Sequence, residues 1–206
     1  MNRSLRIHVV LACSLIFAAS VQAQVEERFV PGNIAGAKLV KGSESPDDRF
    51  VLGEMFVGDT TANFIGIITT DKKQMLSILP VHTAWQLDNP HPAYLAVLWS
   101  PDSHMVAVHD SLDKHSILHV YREVGGKFAP VTLPDLRSAG EKRLLRPDEK
   151  SISSGQLPVK WDSPGLLEVL FKAVISGKGG VKKTSEVRLF LQIPPHGDAT
   201  LVSRNE

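Results

Sequence analysis

Three times along the chain a Ser-Pro pair closes a polar turn and an apolar run begins at once. Ser45-Pro46-Asp47-Asp48 leads through Arg49 into Phe50-Val51-Leu52. Ser100-Pro101-Asp102-Ser103 follows Trp99 and leads through His104 into Met105-Val106-Ala107-Val108. A third, more divergent copy, Trp161-Asp162-Ser163-Pro164-Gly165, leads into Leu166-Leu167-Glu168-Val169. The serines at 45, 100 and 163 are 55 and 63 residues apart. Serine opens such a turn, proline fixes φ at the next position, and aspartate bonds back to the backbone. Recurrence on this scale marks a repeated supersecondary unit and constrains the fold more than any single residue does.

Around these turns the chain is a series of short runs rich in Ile, Leu, Val and Phe, at 50–52, 64–68, 75–79, 94–99, 105–108, 117–121, 166–175 and 187–193. Clusters of Gly, Pro, Asp, Asn or Ser bound each run, the pattern of an all-β protein. The best-formed unit supplies a strand ending at Trp99, the turn, a strand at 105–109, a loop at 110–115, and strands at 117–122 and 128–131. The expected fold class is therefore all-β, with about three four-stranded antiparallel units near 36–82, 93–134 and 157–204 in a single domain, 24–206. One segment interrupts the pattern. Leu136, Ala139, Glu141, Lys142, Arg143, Leu144 and Leu145 are good helix formers, so a short helix is predicted near 135–146, with Pro134 in its first turn and Pro147 stopping it. Its Arg137, Lys142, Arg143 and Arg146 read as a solvated face rather than an anion site.

The Trp99-Ser100-Pro101-Asp102 turn between two strands resembles the W/F-S-P-D-G turn of TolB-type β-propeller blades. The chain departs from that repeat where Asp48 and Ser103 take the place of the turn glycine. The resemblance implies propeller-blade units and, by fold analogy, a role in binding or assembly. Three blades are fewer than the 4–8 that close a typical propeller. An incomplete propeller or a sandwich-like stack is the expectation, with sheet edges that a protein partner or a second copy would cover.

Residues 1–23 read as a secretory signal: Arg3 and Arg6 precede an apolar run at 7–19, and Val21-Gln22-Ala23 offers a cleavage pattern. That run, 13 residues, is shorter than the ~20 needed to span a bilayer. The expected location is periplasmic or extracellular, with no transmembrane segment in the mature chain. The only cysteine, Cys13, lies within the run, and the bulky Leu11 before it argues against a lipoprotein anchor there. Of 23 Lys and Arg against 22 Asp and Glu, cleavage removes Arg3 and Arg6, leaving 21 − 22 = −1. Such a balance argues against nucleic acid as partner, which calls for a basic excess.

Three sets of residues invite a chemical reading. Gly177-Lys178-Gly179-Gly180-Val181-Lys182-Lys183-Thr184 falls one residue short of a phosphate-binding loop, because Lys182 replaces the second glycine. The alternating run after it is a strand rather than the helix that gives the loop its chemistry, so Gly177, Lys183 and Thr184 are read as a hairpin loop with no cofactor. Four histidines fall between 104 and 119. If the hairpin tip gathers His104, His109, Asp110 and His115, imidazole and carboxylate suit Zn²⁺ or a similar ion, and a small metal-assisted exported hydrolase becomes the alternative function. No G-x-S-x-G elbow is present, Ser153-Ser154-Gly155 included, and no catalytic residue is assigned. Trp85, Trp99 and Trp161 suit a sugar platform or blade-end packing, and the recurrence of the last two beside Ser-Pro turns favours packing.

Overall fold

Among the described residues the runs fold into three antiparallel sheets. The first is β1 (Lys38–Leu39), β2 (Phe50–Phe56), β3 (Asn63–Thr69) and β4 (Met75–Leu79). The second is β5 (Ala96–Trp99), β6 (Met105–Leu112), β7 (His115–Val124) and β8 (Lys127–Pro130). A helix, α1 (Leu136–Leu144), precedes the third, which is β9 (Lys150–Ser163), β10 (Leu166–Ser176), β11 (Lys182–Gln192) and β12 (Thr200–Val202). In each, every strand pairs with the next in sequence. The second and third meet edge to edge through one parallel bridge, His115 to Ser154. The computed structural model describes residues 38–40, 42–56, 63–71, 74–79, 96–112 and 115–203, all in the body Asn33–Glu206. Segment 1–23 with Cys13, and His82, Trp85 and His91, lie outside them, as does the side chain of His115.

The second sheet lies between the other two, and its sequence shows why. Period-two alternation sends Val106 and Val108 to one face and Met105 and Ala107 to the other. The first pair joins Phe50, Leu52, Ile65, Ile67, Leu79 and Tyr121 in a core shared with the first sheet. The second pair joins Leu118, Val120, Leu167, Val169, Phe171 and Leu189 in a core shared with the third. A strand buried on both faces reads as a continuous apolar run rather than an alternating one, which is how residues 105–108 read.

The helix closes the second core. Asp135 caps it, its carboxylate accepting the Ser138 N–H at 2.9 Å and the Ser138 hydroxyl at 2.6 Å. Pro134 therefore precedes the cap rather than occupying the first turn, a small correction to the expected start. Leu136, Gly140 and Leu144 repeat every four residues and face the core. Of the basic residues, Arg137 pairs with Glu141 one turn on, and Arg143 donates to the Arg188 carbonyl.

Gly140 sits against the Phe171 ring so closely that an added Cβ would fall 2.2 Å from its Cδ1. On an open helix Gly→Ala gains about 1 kcal/mol. Here Gly140→Ala is expected to destabilise by about 1–3 kcal/mol through overpacking, read as a lower urea midpoint with an unchanged slope.

Candidate functional site

The Ser-Pro-Asp turns have one geometry. Ser45 Oγ donates to Asp47 at 2.7 Å and accepts the Phe50 N–H at 3.0 Å. Ser100 Oγ donates to Asp102 at 2.5 Å and accepts the Met105 N–H at 2.9 Å. In both, the residue after aspartate donates back to the serine carbonyl at 2.9 Å and takes a positive φ, 57° at Asp48 and 61° at Ser103. That is the place where the propeller repeat carries glycine, which adopts such a φ without strain. The third turn is tighter. Ser163 pairs with Leu166 across Pro164-Gly165, and φ at Gly165 is 83°.

Beside these turns the tryptophans join the sheets. Trp99 Nε1 donates to the Ser43 carbonyl at 2.8 Å, two residues before the first turn's serine. Trp161 Nε1 donates to the Leu98 carbonyl at 3.1 Å, two residues before the second turn's serine. The same clasp thus links second sheet to first and third to second. Trp99 also stacks on Phe50 at 5.8 Å and meets Phe128 edge-on at 5.6 Å, burying its ring in the first junction. Ser77, on β4, bonds both the N–H and the carbonyl of Phe128, on β8, at 2.8 and 2.7 Å. The structure packs Trp99 and Trp161 into the two cores where the sheets meet.

Of the proposed metal ligands with described side chains, His104, His109 and Asp110 do not converge. His104 stands exposed at the start of β6, its Nδ1 donating to Glu123 at 2.7 Å. His109 points to the opposite face of β6 from Asp110 and donates its Nδ1–H to the Gln156 carbonyl at 2.9 Å. Asp110 is buried 3.8 Å from His119 Nε2, beside Tyr121. His119 and Tyr121 stack at 6.4 Å, and burial, aided by the Asp110 charge, pushes the phenol above its usual range. Among the described residues no three His, Cys, Asp or Glu side chains group as a metal site. Strand alternation and the length of β6 account for this: neighbours in sequence face apart, and His104 is a strand's length from the hairpin tip.

A different set of residues does come together. Register places Ser153, Gly155 and Leu157 on one face of β9, with Val174, Lys172 and Leu170 opposite them on β10, and Thr184 beyond Val174 on β11. Where this face meets β7, a Cβ on Gly155 would lie 2.6 Å from Ser116 Oγ, so the side-chain-free position lets the two edges close up. The result is a cleft of about 260 Å³ lined by His109, Ser116, Ser153, Ser154, Gly155, Lys172 and Thr184, among others. The same face carries, further along, Glu168 at 2% exposure held by Arg188 at 2.5 Å and Lys160 at 3.6 Å. Sequence reading weighed Ser153-Ser154-Gly155 as a hydrolase elbow and Thr184 as a phosphate-loop residue. Only the register shows them as neighbours, although the alternating small residues Ser151, Ser153 and Gly155 are a period-two signal for a shallow strand face.

The glycine-rich stretch joins β10 to β11. Ser176 pairs with Lys182, Gly177 N–H donates to the Val181 carbonyl at 3.1 Å, and Gly179 and Gly180 take φ of 81° and 77°. Lys183 and Thr184 already belong to the strand, and Lys183 Nζ pairs with Glu149 at 2.6 Å. Comparison with family models, with curated proteins and with solved structures gives no match.

Two measurements check the turn chemistry. Ser100→Ala leaves the buried Met105 N–H and the Asp102 carboxylate short of a partner and is expected to cost about 2 kcal/mol, whereas exposed Ser163→Ala should stay within about 0.5 kcal/mol. Burial raises the Asp47 carboxyl, but hydrogen bonds from Arg49, Ser45 and Ser103 outweigh it and hold it well below the usual carboxylate range. A depressed folded pKa gives stability that is present above about pH 4 and lost as pH falls through the folded value. Because the side chain is 36% exposed, the effect is small, at most about 1 kcal/mol. Acid unfolding of Asp47→Asn is expected to be less steep below pH ~4 than that of the parent.

Proposed function

We propose that this chain is an exported binding protein built from three propeller-like units in an open stack. The observation that carries the reading is the repeated clasp. Trp99 reaches back to Ser43, and Trp161 reaches back to Leu98, by one hydrogen bond at equivalent places. A junction repeated in one direction builds a row of sheets, and three such sheets are fewer than a closed ring uses. Support for the TolB-type resemblance comes from the paired turns and from positive φ where that repeat has glycine. Export is supported by Arg3, Arg6 and the apolar run at 7–19.

Between binding and self-assembly, the last sheet favours binding. Its outer face carries the ion-paired Lys160, Glu168 and Arg188 and the exposed Lys172, alongside half-buried Leu170 and Val174. In stacked repeats a polar outer face ends the array, so further copies would not add there. Among the described residues no helix is long and apolar enough to cross a membrane.

Light scattering across a hundredfold concentration range, with intact mass of protein recovered from outside the cytoplasm, tests this. The expected result is a constant monomer mass and cleavage after Ala23. A mass that climbs with concentration would transfer the role to assembly, and an uncleaved, cytoplasmic chain would remove export.

A further inference from the structure

We infer that the cleft at Gly155 is a binding site for a small hydroxylated carboxylate, of the size and chemistry of a sugar acid. Its lining supplies one cation, Lys172, and hydroxyl-bearing Ser116, Ser153 and Thr184, with no carboxylate among the lining residues. Lys172 lies opposite Glu186 in the ladder, yet among the described residues its ammonium has no ion-pair partner. A donor-rich pocket around an unpaired ammonium selects an acceptor-rich, negatively charged ligand.

His109 adds the second half of the specificity. A carbonyl can only accept, so the Nδ1 that bonds Gln156 O at 2.9 Å carries the hydrogen, and in the neutral ring Nε2 is left as an acceptor. His109 is 6% exposed and is among the residues that line the cleft. An acceptor there calls for a ligand hydroxyl, and the donors around Lys172 call for a carboxylate. A molecule bearing both on a compact frame satisfies the cleft, whose volume of about 260 Å³ suits a monosaccharide. Gly155 sets the depth, since any side chain there would be driven onto Ser116. Leu157 and Val174 give an apolar floor against which the carbon frame of a sugar can lie.

The site rests on the binding reading but is tested apart from it. Isothermal titration of the mature protein would use galacturonate and glucuronate, with galactose, glucose and acetate as controls. The acids are expected to bind at least about tenfold more tightly than either neutral sugar or acetate, because only they engage both Lys172 and His109. Lys172→Met, at an exposed strand position, should keep the circular dichroism and melting of the parent and lose roughly tenfold or more in acid affinity without weakening neutral sugars. His109→Gln should weaken the acids while leaving acetate unchanged. No heat with either uronate at 10 mM, equal affinity for acid and neutral sugar, or unchanged uronate binding in Lys172→Met would each overturn the proposal. A monomer that fails this titration loses the ligand class and keeps the stack, whereas an oligomer that passes it does the reverse.

Discussion

The indole N–H of a tryptophan bonded to a backbone carbonyl of the preceding sheet is the contact on which the rest of the architecture depends. A sheet buries one face readily, but a stack needs each sheet to find the next at a fixed height and angle. Trp99 and Trp161 supply that reference, since each enters a junction and fixes itself by one directional bond. The carbonyl each uses lies two residues before a Ser-Pro turn, where the strand is pinned by the turn's own hydrogen bonds. The turns and the tryptophans are thus one device: the turn rigidifies the acceptor, and the indole reads its position. Removing either leaves a buried polar group unmatched, which is costlier than the bond itself is favourable.

The fold class was legible because it rests on local chemistry. The alternation of apolar runs and turn residues announced the strands, and the recurrence of Ser-Pro before them announced the units. The helix Leu136–Leu144 was legible for the same reason, as its formers, cap and flanking prolines are all in one stretch. The three short or polar strands that completed the sheets were not. β1 is only Lys38–Leu39, and β12 is Thr200–Val202, each too short to carry a pattern. β9, Lys150–Ser163, is long but reads as loop, with four serines, a glycine and a proline among its residues. It is a strand because β10 is one. A run as apolar as Leu167, Val169, Phe171, Ala173 and Ile175 requires partners on both sides, and tertiary pairing overrides the weak propensity of residues 150–157.

That His104, His109 and Asp110 stand apart while the cleft residues come together has one cause: nearness along the sequence and nearness in a sheet are different quantities. His109 and Asp110 are adjacent in the chain and face opposite cores. Ser116, Gly155, Lys172 and Thr184 are spread over 68 residues (184 − 116) and border one cleft, because a meander lays strand beside strand and the bridge at His115 and Ser154 joins two meanders at that height. No spacing rule recovers such a set from one sequence.

The near-match to a phosphate loop carries the same lesson from the other side. Its glycines do use their conformational freedom, at Gly179 and Gly180, but to reverse a strand rather than to wrap an anion. Its threonine borders a polar cleft after all, from within β11. A motif's letters supply only the capacity for a backbone shape. Whether that shape faces a ligand is decided by the element that follows it, and here that element is an eleven-residue strand whose own partner, β10, fixes every side chain by its parity.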